Sequence, residues 1–263
     1  MKYSLTDYHI HSSWSDDIVD IGPGFEDYLS IAEENDINIC FLEHYEIYQI
    51  ESFENHPFRI NSIETYLEQL DKLKENYEFV LTGLEVDYHH HKADQIREFM
   101  DDYEKQLDFV AGSMHEPIID YPITQRDKLF QLMEKWTIKQ IVDEFFTHSE
   151  HMIKSKIFKS ICHIDTIFRY INEHDIKPPP DCDCSSERIL ELGRLCIKNN
   201  VKIEYNLSGV KFPIARSFPS KEVIMQLKKE GAQIFIGSDS HFVPYFQNQI
   251  KSVKDAYKLL GSI

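Results

Sequence analysis

Hydrophobic residues recur along this chain in two alternating patterns. Short apolar runs of strand length alternate with longer segments in which apolar residues recur every three or four positions, the spacing of an amphipathic helix. The short runs predict seven strands, at residues 3–11, 37–42, 79–86, 107–114, 158–164, 201–206 and 233–237. The longer segments predict helices at residues 25–35, 62–76, 93–106, 137–153, 187–199, 221–230 and 248–260. This alternation indicates parallel strands joined by crossover helices.

Two stretches follow neither pattern. Residues 45–61 carry aromatic residues, Pro57 and His56, and they predict a loop over a site, in which His56 is a candidate substrate contact. Residues 116–136 are less regular. Ser62 is the predicted N-cap of the helix that follows the first stretch. No linker or shift in composition divides the chain, so we expect one domain over residues 1–263.

Metal-ligand side chains mark the C-terminal ends of six of the seven predicted strands. His9 and His11 lie two positions apart on one strand, so both rings project from the same face. The later strands end in His44, Glu85, His115, His163, and Asp239 with His241. In a closed barrel of parallel strands such ends gather at one face, where catalytic groups lie, whereas an open sheet gathers them at a crevice. The sequence therefore favours a barrel with a site at that face.

The residue types in this set indicate a metal centre. Imidazole and carboxylate ligands together suit zinc, manganese or iron. With Asp17, for which Asp16 is the alternative, the set has nine ligands, too many for one ion, so we expect two or three. Ions about 3.5–4 Å apart can clamp the attacking and leaving oxygens of a displacement at phosphorus, and they lower the pKa of bound water to about 7. Hydrolysis of a phosphate ester is the chemistry that such a centre predicts.

Composition limits the class of partner and the compartment. The formal charge of −17 over 263 residues disfavours nucleic acid, which requires basic surface. No signal peptide and no apolar run of membrane-spanning length is found, so we expect no membrane association. Cys40, Cys162 and Cys196 fall in apolar patterns typical of buried thiols, which fits a reducing cytoplasm. The sequence does not indicate an oligomeric state.

The ordered motifs resemble those of the polymerase and histidinol phosphatase (PHP) superfamily. They are Asp7-Tyr8-His9-Ile10-His11, Glu43-His44, Gly83-Leu84-Glu85, Gly112-Ser113-Met114-His115, Cys162-His163-Ile164-Asp165 and Gly237-Ser238-Asp239-Ser240-His241. The segment from Glu204 to Lys211, with Phe218-Pro219-Ser220, resembles the histidinol-phosphatase branch. There are three departures. Glu43 stands where the superfamily often has Asp, and Glu116 where the branch usually has an apolar residue. Residues 207–211 read Leu-Ser-Gly-Val-Lys where Thr-Ser-Gly-Leu-Arg is more usual.

The resemblance implies a distorted (β/α)7 barrel with three ions at the C-terminal ends of its strands. It also implies hydrolysis of L-histidinol phosphate, a step of histidine biosynthesis, with Asp17, His241 and Glu85 as catalytic candidates. The implied ligand sets are His9, His11, Glu85 and Asp239 for the first ion, the bridging Glu85 with His115 and His163 for the second, and Asp17, His44 and His241 for the third.

Basic residues beside the predicted ligands are candidates for binding the phosphate. They are Arg169, Lys211 and Arg216, and Ser113 could add a hydrogen bond. The amino and imidazole groups of the substrate need an acceptor, for which the candidates are Glu43, Glu116 and Asp165.

Other interpretations remain open at this point. The chain could be a PHP phosphoesterase for another small phosphorylated metabolite or a nucleotide, or a non-catalytic PHP binding module. Amidohydrolase chemistry shares the barrel but usually requires a lysine carbamate or a different histidine order. We expect the remaining histidines to be solvated, with His89, His90 and His91 in a loop and His148 and His151 on a helix surface.

Overall fold

A computed structural model describes residues 1–18, 22–52 and 54–261. Its strands are β1 (Leu5–Ile10), β2 (Ile37–Tyr45), β3 (Val80–Asp87), β4 (Phe109–Ser113), β5 (Ser160–Ile161), β6 (Lys202–Asn206) and β7 (Ile234–Gly237). They form one sheet in the order β1 to β7. The pairings β1–β2, β2–β3, β4–β5 and β5–β6 are parallel. The predicted fold class, an α/β chain of (β/α)7 barrel type, is confirmed.

Helices connect these strands. They are α1 (Glu26–Glu34), α2 (Ile47–Ser52), α3 (Pro57–Lys74), α4 (Ala93–Tyr103), α5 (Arg126–Met133), α6 (Ile138–Ser155), α7 (Ser186–Asn199), α8 (Lys221–Lys229) and α9 (Val243–Leu259). Short 3-10 helices lie at His90–Lys92, Glu104–Gln106, Thr166–Arg169 and Ser208–Lys211. In the part of the chain that the structure describes, no helix combines the length and apolar character needed to cross a membrane.

The chain divides into two compact units. Unit 1 comprises Met1–Val86, Arg97–Ala111 and Ile236–Ile263. In this unit the end of β7 returns to β1, since Ile10 pairs in parallel with Ser240 and the Asp239 amide donates to the His9 carbonyl at 2.8 Å. Tyr28 is buried between α1 and the sheet, with its ring centre 5.8 Å from that of Phe41. These contacts hold the C-terminal ends of β1 and β7 together and pack α1 against β2.

Unit 2 comprises Asp87–Ile96 and Gly112–Phe235. Gly112 on β4 pairs with Ile161 on β5, which pairs with Ile203 on β6. The predicted strand at 158–164 is reduced to two residues, because the chain turns at His163, whose φ is 22°. A strand cannot continue through a positive φ, so β5 ends just before the predicted ligand. The prediction of one domain over residues 1–263 is not tested by this division.

The prediction of a loop over residues 45–61 is wrong. β2 continues through Tyr45, α2 follows, and α3 begins at Pro57. His56 is the N-cap of α3, because its Nδ1 accepts a hydrogen bond from the Phe58 amide at 3.2 Å, and proline is favoured directly after a cap. Ser62 interrupts α3 with a φ of 60°, and its Oγ accepts from the Thr65 amide at 3.4 Å. The predicted Ser62 cap therefore begins the second half of a longer helix.

Two other boundaries differ from the sequence pattern. The segment 116–136, expected to be irregular, contains α5. The last helix begins at Val243, with Pro244 in its first turn, five residues before the predicted start. Proline suits a first turn because its missing amide hydrogen would have no partner there.

Candidate metal centre

The candidate ligands that lie in unit 1 converge on Glu85 at the end of β3. The Glu85 Oε2 atom lies 3.0 Å from His9 Nε2, 3.2 Å from His44 Nδ1 and 3.8 Å from His11 Nε2. His9 and His11 share a face of β1, and His44 stands beside Glu85 in the parallel register of β2 and β3. All four residues are buried. Strand alternation and register are therefore what bring these side chains together.

The turn after β7 and the loop after β1 supply the rest of this group. Asp239 Oδ1 lies 3.6 Å from His11 Nε2 and 3.4 Å from His241 Nδ1. Asp17 Oδ2 lies 2.9 Å from His241 Nε2 and 3.7 Å from His44 Nε2. The Asp17 side chain is 45% exposed, so this edge of the group faces solvent. The structure thus brings together the predicted first and third ligand sets.

These seven side chains fit divalent metal ions. Zinc bonds to imidazole nitrogen and carboxylate oxygen are both about 2.1 Å, so two ligands at a tetrahedral angle lie about 3.4 Å apart. The observed separations are 2.9 to 3.8 Å. His11 Nε2 is buried and has no hydrogen-bond partner. Burial, together with the nearby rings of His241 and His44, lowers the pKa of His11 well below its usual value, which leaves a neutral ring with a free lone pair.

Asp17 remains ionised in this environment. Desolvation acts to raise its pKa, but the His241 and His44 rings outweigh that effect and hold the pKa of Asp17 well below its usual range. A carboxylate is the form that binds a cation, so Asp17 is suited to the predicted role.

A buried hydroxyl sets the orientation of His11. Ser15 Oγ lies 2.7 Å from Glu43 Oε2, 2.9 Å from His11 Nδ1 and 3.1 Å from the His44 amide. The hydroxyl has one proton, which it donates to the Glu43 carboxylate, so His11 Nδ1 and the His44 amide must donate to it. The His11 proton therefore lies on Nδ1, and Nε2 is the free atom that faces Glu85 and Asp239. Partners of this kind fix the tautomer of metal-binding histidines.

Buried carboxylates also hold the ligand-bearing backbone. Asp7 Oδ1 accepts hydrogen bonds from the amides of His9 at 3.2 Å and Ser238 at 2.9 Å. Burial raises the pKa of Asp7 to about 6, although these hydrogen bonds act to lower it. In unit 2, Asp87 Oδ1 accepts from the His115 amide at 2.8 Å. Glu204 Oε2 accepts from the His163 amide at 2.8 Å. In these two cases an acidic residue on one strand fixes the backbone of a candidate ligand that follows the neighbouring strand.

Unit 2 brings the remaining two predicted ligands into contact. His115 Nε2 lies 3.4 Å from His163 Nε2, and both rings are buried. Two nitrogens at this distance fit the coordination of one ion. The bridging role of Glu85 in this set stays a prediction.

The candidate phosphate-binding residues lie in unit 2 around Phe212 and Asp165. Arg216 Nη1 lies 2.8 Å from Asp165 Oδ2. Burial raises the pKa of Asp165, and the Arg216 charge opposes that rise. The Arg169 guanidinium carbon lies 4.3 Å from the Phe212 ring centre, and Lys211 Nζ lies 5.4 Å from the same centre. Basic side chains thus gather around Phe212 and around Asp165, two residues beyond His163, and their substrate role stays a prediction.

Several other sequence expectations change. Glu43 cannot be the substrate acceptor, because it is fully buried and both its oxygens accept from Ser12 and Ser15. His89 is buried rather than solvated, with its Nε2 3.1 Å from Asp87 Oδ2 and 3.5 Å from Glu116 Oε2. This places Glu116 and His89 beside each other. Ser113 Oγ is buried without a hydrogen-bond partner, which leaves its donor available. His56 acts as a helix cap and is buried.

Sequence reasoning assigned no role to Ser15, Asp7, Asp87 or Glu204. The available signal for the three acids was a carboxylate inside an otherwise apolar strand, since such a group is buried only when it is bonded. Ser15 had no comparable signal, because a serine in a polar loop is ordinary.

Comparisons with known proteins find a matching family and proteins of similar fold. The PHP domain family model matches residues 7–208. A candidate histidinol phosphatase from Listeria monocytogenes is similar in structure, with a TM-score of 0.76 at 17% identity over 94% of this chain and 99% of that one. A histidinol phosphate phosphatase from Lactococcus lactis, whose structure contains zinc, L-histidinol and phosphate, has a TM-score of 0.72 at 22% identity over 95% of this chain and 94% of that one.

The comparison with curated proteins gives no significant match. The family match nevertheless spans most of the chain, including every predicted ligand except Asp239 and His241. This chain belongs to the PHP domain family.

Proposed function

We propose that this protein is a metal-dependent phosphomonoester hydrolase that converts L-histidinol phosphate and water to L-histidinol and phosphate. The observation that carries the proposal is the convergence of His9, His11, His44, Glu85 and Asp239 on one buried point. A group of imidazoles and carboxylates is suited to divalent zinc, manganese or iron. Two or three such ions are proposed.

The bound ions would supply an activated water and neutralise the charge that develops on the phosphate. The chain's own residues would do the rest. Glu85 and Asp239 hold the histidine rings in place, and the carboxylate network behind them keeps His11 in the tautomer with a free Nε2. Asp17 and His241 form a pair at the exposed edge, with 2.9 Å between Oδ2 and Nε2. Both atoms belong to the predicted third ligand set, so they would hold an ion at the edge of the centre that solvent reaches.

Recognition of the substrate would fall to the basic residues and Ser113. Arg216 and Arg169 can each form paired hydrogen bonds with phosphate oxygens, while Lys211 adds a point charge. In a chain of net charge −17, such residues supply the local attraction that an anionic substrate needs. Glu116 and Asp165 are the remaining candidate acceptors for the amino and imidazole groups, since Glu43 is occupied. The Lactococcus lactis neighbour, which contains L-histidinol and phosphate, supports this substrate class.

Release of inorganic phosphate tests the proposal. The purified protein, loaded with zinc, manganese or iron in turn, is assayed with L-histidinol phosphate, a sugar phosphate, a nucleoside monophosphate and p-nitrophenyl phosphate. Preferred turnover of L-histidinol phosphate is expected. Strong turnover of another ester without it would favour a different PHP phosphoesterase. A protein that carries fewer than two ions and releases no phosphate would instead fit a binding module. A cytoplasmic location and the absence of nucleic-acid and membrane partners remain predictions.

A further inference from the structure

Three histidines and one glutamate outside the predicted metal centre meet on the surface of unit 2. Glu144, His148 and His151 lie at positions i, i+4 and i+7 of α6, which places them on one face of the helix. His148 Nε2 is 3.4 Å from Glu144 Oε2. His90, from the short helix His90–Lys92, lies against this face, with its ring centre 5.0 Å from that of His151 and 6.3 Å from that of His148.

The spacing of the three rings fits one metal ion. An imidazole bound through nitrogen holds its ring centre about 3.2 Å from zinc, so two bound rings have centres at most about 6.4 Å apart, and about 5.2 Å apart at a tetrahedral angle. The third pair, His148 and His151, has centres 6.1 Å apart. All three separations lie within the limit, and the His90–His151 pair lies close to the tetrahedral value.

The surroundings leave space for further ligands. A cavity of about 280 Å³ opens beside the cluster and is lined by His90, His91, His148 and Glu144 among others. The His148 side chain is 21% exposed. Burial lowers the pKa of His148, and the nearby His151 and His90 rings lower it further, while the Glu144 charge acts in the opposite direction. The His148 ring is therefore neutral at neutral pH and able to bind a metal. Water or the Glu144 carboxylate can complete a four-coordinate site.

We propose that His90, His148, His151 and Glu144 form a second divalent transition-metal site of the zinc and nickel class, to which none of the predicted catalytic ligands contributes. The ligands come from two elements of unit 2, the short helix before α4 and the exposed face of α6. A bound ion at this position ties those two elements together.

Equilibrium dialysis of chelator-treated protein against zinc tests the proposal. We expect the wild-type chain to bind one zinc equivalent more than the double variant H148A/H151A, and one more than the single variant His90→Gln. Alanine is favourable in an exposed helix, so the double variant should keep its fold. The matched control is His174→Ala, which removes an exposed histidine of the same unit and should leave the zinc equivalents unchanged.

A second measurement locates the ion directly. Crystals soaked in zinc should give an anomalous difference peak between the rings of His90, His148 and His151, and crystals of the double variant should lack it. Equal zinc equivalents in the wild type and both variants, or no peak at this position, would overturn the proposal. Phosphate release should be the same in the wild type and the variants, so this test does not depend on the proposed function.

Discussion

Replacing Ser15 by alanine tests the hydrogen-bond network behind the candidate metal centre. The substitution removes one buried hydroxyl and adds no bulk. It leaves Glu43 without a donor at 2.7 Å, and it leaves His11 Nδ1 and the His44 amide without their acceptor. We expect the variant to fold, to be less stable than the wild type, and to bind metal more weakly.

The magnitude follows from those three contacts. A hydrogen bond to a charged group contributes about 1.5–3 kcal/mol, and each buried donor left unpaired costs about 1–3 kcal/mol. Because local relaxation lets neighbours share the loss, we expect the free energy of unfolding of the metal-free protein to fall by about 2–4 kcal/mol. Without Ser15, the His11 proton can also occupy Nε2, the atom that faces Glu85. Loss of a hydrogen-bond partner that orients a metal-binding histidine typically weakens metal affinity about 10–100-fold.

Two measurements check this prediction. Urea unfolding of chelator-treated protein gives the change in midpoint, and the slope should be unchanged, because the surface exposed on unfolding is the same. Competition with a chromophoric chelator gives the metal affinity. The control is Ser13→Ala, an exposed serine two positions away. If Ser15→Ala matched this control in both stability and metal affinity, the network would not orient His11 and the tautomer argument would be wrong.

The remaining predictions concern a candidate ligand, the loop from Ser208 to Arg216 that carries two of the basic candidates, and a helix cap. His11→Ala should remove one ion, measured by elemental analysis, and abolish phosphate release while the far-UV circular dichroism spectrum is kept; full activity would contradict the multi-ion centre. Gly209→Ala places a methyl group 2.0 Å from the Arg216 carbonyl oxygen, so the loop must shift. We expect a loss of about 1–3 kcal/mol and a higher KM than for the exposed control Val210→Ala; an unchanged KM would argue against a substrate role for this loop. Thr137→Ala breaks the capping box of α6 and should cost about 1 kcal/mol in urea unfolding without changing kcat; an unchanged urea midpoint would show that the cap is not needed.

Periodicity alone was sufficient to predict most of the fold. Each strand and most helices appear near their predicted positions, because hydrophobic spacing reports which face of an element is buried. The candidate ligands could also be selected from the sequence, since a polar side chain at the end of an apolar strand has few structural reasons to be there. His9, His44 and Glu85 were found in this way, and their meeting follows from parallel register.

The local hydrophobic pattern gave wrong secondary structure where tertiary contacts determined the backbone conformation. The helices within residues 45–61 were missed because their polar and aromatic residues lack a regular apolar stripe, although His56 and Pro57 form a cap that begins α3. The short β5 could not be predicted, because the positive φ at His163 is imposed by its surroundings rather than by residue type.

Only the tertiary structure decided how the ligands are oriented and held. Ser15 and Glu43 are 28 positions apart, and His115 lies 28 positions from Asp87. A sequence window shows which side chains share a face, but a hydrogen bond across the sheet depends on strand order and register. His90 and His151 likewise meet because the short helix before α4 packs on α6. The sequence by itself specified the residue types of the centre, while folding determined the partners that fix their protons and positions.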